Sequence, residues 1–119
     1  MIIFRALIFL LLSINVAGGQ PFRPRACDVT TVSTGGTAVT AISGPVNGYY
    51  IFNPLLAVDQ GIGAAEPLYI DTVGTATTSG NATNSAIAPG QAFYGIGLTN
   101  TTVSVNAATT GHAFTCVRW

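Results

Sequence analysis

The chain has 119 residues, of which 49% are hydrophobic and only 7% charged, and its four basic and four acidic side chains cancel. That length fits one domain. With no lysine and no net charge there is no electrostatic footprint for nucleic acid, and the apolar content with strand-like alternation excludes a disordered chain.

The first residues differ in kind from the rest. One basic residue, Arg5, precedes an apolar run at 6–16 (ALIFLLLSINV), and Ala17, Gly18 and Gly19 follow. A basic start, a short apolar core and a small-residue site are the three parts of a secretory signal peptide. Cleavage fits after Gly18 or after Gly19. Left uncleaved, this segment is the chain's only membrane contact, although it is short of the ~20 residues that a span needs. The expected organisation is a signal peptide at 1–19, an extended arm at 20–26 (QPFRPRA) with Phe22 as a candidate anchor, and a folded domain at 27–119. The expected location is exported: periplasmic, extracellular or surface-bound.

Two cysteines, Cys27 and Cys116, stand at the two ends of that domain. In an exported chain an even pair reads as a disulfide, the alternative being two separate buried thiols. The bridge requires the first strand to lie antiparallel to the last.

Residues 27–33 and 37–43 are rich in Thr and Val, and Thr34-Gly35-Gly36 between them suggests a hairpin. Asn47-Gly48 favours a tight turn, and residues 49–53 (YYIFN) form an aromatic and β-branched strand. Residues 55–67 are irregular. Gly61 and Gly63 oppose a long helix there, and Leu55, Leu56 and Ile62 are expected to pack on the core. Residues 68–73 form a strand with Leu68, Ile70 and Thr72 on one face and Tyr69, Asp71 and Val73 on the other. Residues 74–84 read as a flexible exposed loop. Residues 85–88 and 92–96 (AFYGI) are strands joined through Pro89-Gly90, with Gly95 at a close approach. After a turn at 97–101, the chain ends in a predicted hairpin over 102–119, with Val103, Val105 and Ala107 alternating before a polar turn. About eight short strands at regular spacing make this an all-β, single-domain β-sandwich or jelly roll of antiparallel strands.

Catalytic chemistry is thinly represented. His112 is the only histidine, and no serine sits in a nucleophile-elbow motif. A cleft bringing His112 to Asp59, Glu66 or Asp71 would suit a small secreted hydrolase or lyase; a scattered arrangement removes that reading. No catalytic residue is assigned. One His and two distant Cys make no zinc pattern, and the lone Gly61-Ile62-Gly63 and Gly95-Ile96-Gly97 pairs precede no helix, so no metal or cofactor is expected. Asn81-Ala82-Thr83 and Asn100-Thr101-Thr102 match the N-glycosylation pattern. Tyr49 and Tyr50 are adjacent and must point to opposite faces. Tyr50, Tyr69 and Tyr94 are the candidates for an exposed aromatic platform that would stack on glycans or meet a protein.

The Thr/Gly/Ala/Asn-rich texture, with GGTAVTAISGPVNG at 35–48 and SVNAATTGHAFT at 104–115, resembles small β-sandwich decoration or appendage proteins of tailed bacteriophages over most of 27–119. The resemblance implies a protein without catalytic groups that studs a particle as oligomers, with the virion as an alternative location. Neutral surfaces protect poorly against association. The expectation is a non-enzymatic structural or adhesive protein acting in many copies, whose partners are itself or a particle or cell surface. The alternative is a secreted carbohydrate-binding module, with glycans as partner.

Overall fold

The strands place every second side chain in one core. Tyr49 and Ile51 are buried while Tyr50 and Phe52 between and beside them are only half-buried, and Val103 and Val105 are fully buried in the same rhythm. The computed structural model describes residues 23–96 and 101–119. The signal-like segment 1–19, Phe22 and Asn100 lie outside the described residues.

Ten strands and one helical turn follow in order: β1 (Arg25–Ala26), β2 (Thr31–Val32), β3 (Val39–Gly44), β4 (Gly48–Phe52), α1 (Ala57–Gln60), β5 (Leu68–Asp71), β6 (Asn84–Ile87), β7 (Ala92–Ile96), β8 (Thr101–Asn106), β9 (His112–Ala113) and β10 (Thr115–Arg118). Eight of them make two four-stranded antiparallel sheets, ordered β1-β10-β4-β7 and β3-β8-β5-β6, while β2 and β9 form a short two-stranded ladder. Tyr49 and Ile51 from the first sheet meet Ile42, Leu68, Ile70, Val103 and Val105 from the second in one apolar cluster. The chain is therefore an all-β sandwich, as expected. Its first strand begins at Arg25, inside the segment expected to be an arm.

Neither expected hairpin forms. The turn at Thr34 closes, with Thr37 N–H donating to Thr34 O at 3.0 Å, but β2 pairs with β9 and β3 pairs with β8. At the C-terminus, β8 pairs with β3 and β5, and the chain then crosses to the other sheet, where β10 enters between β1 and β4. Alternation dictates which residues face inward. It does not say which strand lies alongside, and here successive strands change sheets.

The loop after β5 differs too. Most of it is exposed, as expected, but it is fastened at one point: Ala76 is buried, its N–H donates to Ser104 Oγ at 2.9 Å and its carbonyl accepts from Asn106 Nδ2 at 3.0 Å. Ser104 and Asn106 lie on the outward side of β8, so this segment covers the outer face of its sheet there. Thr77 and Asn84 exchange two further bonds across it. Short polar side chains replace the ladder that the irregular backbone lacks.

The antiparallel pairing of β1 with β10 brings Cys27 and Cys116 to a Cα separation of 5.4 Å, and they are disulfide-bonded. Beside the bridge, Arg118 forms a salt bridge with Asp28 at 2.7 Å. Trp119 continues past β10. Its N–H donates to Gly48 O at 3.0 Å and its carbonyl accepts from Asn47 N–H at 2.7 Å. The indole lies directly on Gly48, where any side chain would overlap the ring.

The disulfide joins residues 89 apart in sequence, for which chain entropy sets an upper bound of about 4.6 kcal/mol. Replacing both cysteines by serine is expected to lower stability by about 2–4 kcal/mol. Thermal unfolding monitored by circular dichroism measures this, and an unchanged midpoint would show that the bridge contributes nothing.

Candidate functional site

Two places gather the residues singled out in the sequence. The first begins where β4 ends at Asn53-Pro54. The chain makes the single helical turn α1, which stops at Gly61 with φ of 72°. This turn sends Gln60 back beneath Asn53. Gln60 Nε2 donates to Pro54 O at 2.7 Å and to Asn53 Oδ1 at 3.1 Å, and its Oε1 accepts from Glu66 N–H at 3.0 Å. Asn53 Nδ2 donates to the carbonyls of Glu66 and Ile87, each at 2.9 Å. Asn53 and Gln60 are fully buried, whereas Leu55 and Leu56, expected in the core, are 62% and 56% exposed. The reason is the irregular backbone. Its carbonyls need donors, and buried amides supply them where leucines cannot.

His112, on β9, is sealed into this network with no exposed surface. Its Nδ1 lies 2.9 Å from Glu66 Oε1 and its Nε2 lies 2.9 Å from Asn53 Oδ1. The Asn53 amide cannot be flipped without setting its NH2 group against His112 and its oxygen against two carbonyls. Both imidazole nitrogens therefore face side-chain oxygens. Glu66 also accepts from Thr109 N–H at 2.9 Å and Thr109 Oγ1 at 2.7 Å. Burial pushes the Glu66 carboxyl up, but the bonds from His112 and Thr109 outweigh it and hold the group below its ordinary range. The result is an ionised Glu66 carboxylate set against Nδ1 of a fully buried imidazole.

Of the three candidate carboxylates, Glu66 alone meets His112. Asp59 is exposed on α1. Asp71 is fully buried, accepting from Thr83 Oγ1 at 2.6 Å, Gly74 N–H at 2.7 Å and Val73 N–H at 2.8 Å. The Thr83 bond first, and the Gly74 N–H after it, hold the Asp71 carboxyl below the usual range. Both nitrogens of His112 are engaged by Glu66 and Asn53, and its side chain has no exposed surface. Among the described residues no group of three or more His, Cys, Asp or Glu is placed to hold a metal ion.

The second place is the outer face of the β1-β10-β4-β7 sheet. Cross-strand register aligns Ala26, Val117, Tyr50 and Tyr94 in one row. The rings of Tyr50 and Tyr94 lie 6.1 Å apart, tilted by 42°. Tyr94 is 68% exposed and Ile96 is 81% exposed. Phe52 and Ala92 form the next couple, and the row carries no charge. Beyond its β1 end lies a shallow apolar groove of about 450 Å³ between Pro24, Ala26, Phe114 and Val117. Tyr69 does not join this face. Leu68 and Ile70 point into the core, so Tyr69 lies on the outer side of the opposite sheet. The three tyrosines thus divide into a couple and a single residue.

Comparison of the chain with protein-family models, with curated proteins and with solved structures returned no match.

Glu66→Gln removes the carboxylate that meets His112 Nδ1 and accepts from both Thr109 donors, and is expected to cost about 1–3 kcal/mol. The acid limb has a definite sign. Glu66 and Asp71 are both held below their ordinary values of 4.5 and 3.8, so the unfolded chain binds more protons as pH falls. Their stabilisation is complete above about pH 5 and is lost progressively as pH falls through the depressed values. Urea titrations between pH 3 and pH 7 measure this, with a shallower slope for Glu66→Gln.

Proposed function

We propose that this chain is an exported, non-enzymatic structural or adhesive protein that works in many copies, making its contacts through the outer face of the β1-β10-β4-β7 sheet. The observation that carries this reading is the uncharged aromatic row ending at Tyr94 and Ile96, which are 68% and 81% exposed. Contiguous apolar surface of this kind is characteristic of interaction sites, and a chain with so little charge has few means of repelling a neighbour. The Cys27–Cys116 bridge is compatible with an oxidising, exported environment, and the signal-like start at 1–19 points the same way. The texture shared with phage decoration proteins makes a particle surface one candidate destination. The sealed His112 lends no support to a hydrolase or lyase.

The paired rings of Tyr50 and Tyr94 also support a second reading, a carbohydrate-binding module, because adjacent aromatic rings stack on sugar faces. Two measurements separate the readings. Sedimentation velocity across concentrations reports self-association, and electrophoresis in gels containing neutral polysaccharides reports glycan binding. The structural reading expects concentration-dependent association that weakens at least 10-fold, about 1.4 kcal/mol, in Tyr50→Ser combined with Tyr94→Ser. The glycan reading expects retardation that the same variant abolishes. A chain that neither associates nor is retarded overturns both.

A further inference from the structure

Sheet edges expose unpaired backbone groups, and proteins blunt them with charge, proline, bulges, short strands or covering segments. Of the four edges of the two four-stranded sheets, three are treated in this way. β1 has two residues, follows Pro24 and carries Arg25. β3 has an irregular register between Thr40 and Ile42, and Asp28 lies along it, its N–H donating to Ala41 O at 2.8 Å and its carboxylate accepting from Ser43 N–H at 3.1 Å. β6 is short, presents Ser85 and Ala86 outward, and runs into Pro89. β7 is different. Its five residues, Ala-Phe-Tyr-Gly-Ile, include no charge and no proline, it pairs with β4 without a register break, and it holds two of the most exposed large hydrophobic side chains.

The backbone of β7 also points the right way. Asn53 N–H donates to Gln91 O at 3.0 Å, which marks a hydrogen-bonded couple at the start of the β4–β7 ladder. Bonded and non-bonded couples alternate along an antiparallel pair. With the observed register, Ile51–Phe93 and Tyr49–Gly95 are the next bonded couples. Ala92, Tyr94 and Ile96 therefore turn their N–H and C=O groups away from β4, toward the open edge.

We propose that β7 is a self-pairing edge: two copies of this chain join β7 to β7 antiparallel about a two-fold axis at Tyr94, fusing two four-stranded sheets into one. This inference rests on the multicopy reading above and specifies its contact. The sequence of β7 is self-complementary in this register. Tyr94 meets Tyr94 of the second copy, bulky Ile96 meets small Ala92, and Phe93 meets Gly95, which has no side chain to oppose it. On the inner side, Gly95 is covered by the ring of Tyr49, which already packs against Phe93 with centroids 6.3 Å apart. Phe93 of the second copy thus comes against an aromatic surface. Three couples, each exchanging two backbone bonds, give about six hydrogen bonds. Charge selects a second copy as the occupant. A two-fold axis sets identical groups against each other, which costs nothing where β7 and its outer-face neighbours Tyr50 and Phe52 are neutral, whereas a charged partner finds nothing to pair with.

Sedimentation velocity and native mass spectrometry of the purified full chain test the pairing at concentrations up to about 100 μM. Wild type is expected to dimerise. Tyr94→Lys sets like charges against each other at the axis, and Ile96→Lys sets a charge against the apolar Ala92 of the second copy; both positions face solvent, and each variant is expected to weaken the dimer, Tyr94→Lys at least 100-fold, while circular dichroism stays unchanged. Tyr94→Cys is expected to yield a dimer linked between the two introduced thiols, because bonded couples bring Cα atoms to about 5.5 Å. Association that survives both lysine variants, with no such cross-link, overturns the β7 pairing and leaves the multicopy reading standing. A wild-type chain that stays monomeric throughout overturns the pairing and self-assembly together.

Discussion

The C-terminal strand holds this fold closed. β10 lies between β1 and β4, so the first sheet is continuous only because the end of the chain returns to its beginning. The Cys27–Cys116 bond fixes that return covalently, the Arg118–Asp28 bridge stands beside it, and Trp119 rests on Gly48 where no other residue fits. Each of these contacts joins residues far apart in sequence, so each carries a large loop-closure cost that the unfolded chain would recover. The disulfide reduces that cost before folding starts.

The second organising feature is polar. Where regular strands run, backbone groups satisfy one another. Where they stop, at 53–67 and 72–83, side-chain amides, a carboxylate and hydroxyls take over. Asn53, Gln60 and Glu66 fasten the first segment and bind it through His112 to β9, while Asp71, Ser104, Asn84 and Asn106 fasten the second over its sheet. A buried His–Glu pair is expensive to desolvate and is held by the bonds around it, so its loss is more damaging than its presence is stabilising. It is an internal tie between two irregular segments. The outward-facing chemistry lies elsewhere, on the neutral aromatic face and on the strand edge beside it.

These two features explain which expectations met the structure. The fold class was legible because period-two alternation of Val103, Val105 and Ala107, and of the residues around Tyr49, reports burial directly. The disulfide was legible in part, because two cysteines at the two ends of one domain form an even pair. The outward Tyr50–Tyr94 couple, half-buried at Tyr50 and exposed at Tyr94, was legible in part, since adjacent Tyr49 and Tyr50 cannot share a face. The hairpins were misread because turn residues describe a local bend and carry no information about which sheet the next strand joins. Leu55 and Leu56 were misplaced because hydropathy counts apolar side chains and ignores the carbonyls that an irregular segment must satisfy. Glu66 was one of three carboxylates considered for His112, and nothing in the spacing singled it out, because the contact spans 46 positions and depends on how β9 meets the 53–67 segment.

The sequence by itself determined the inward and outward faces of the strands, the composition that leaves surfaces neutral, and the covalent closure at Cys27 and Cys116, because each follows from local periodicity or residue type. Tertiary structure alone decided the strand order, the partners of His112, the burial of Asp71 and the separation of Tyr69 from Tyr50 and Tyr94. It also decided that β7, with no charge and no proline, lies at an edge of its sheet. All of these depend on which distant segments come to lie side by side, and that is a property of the packed whole that no short stretch of chain contains.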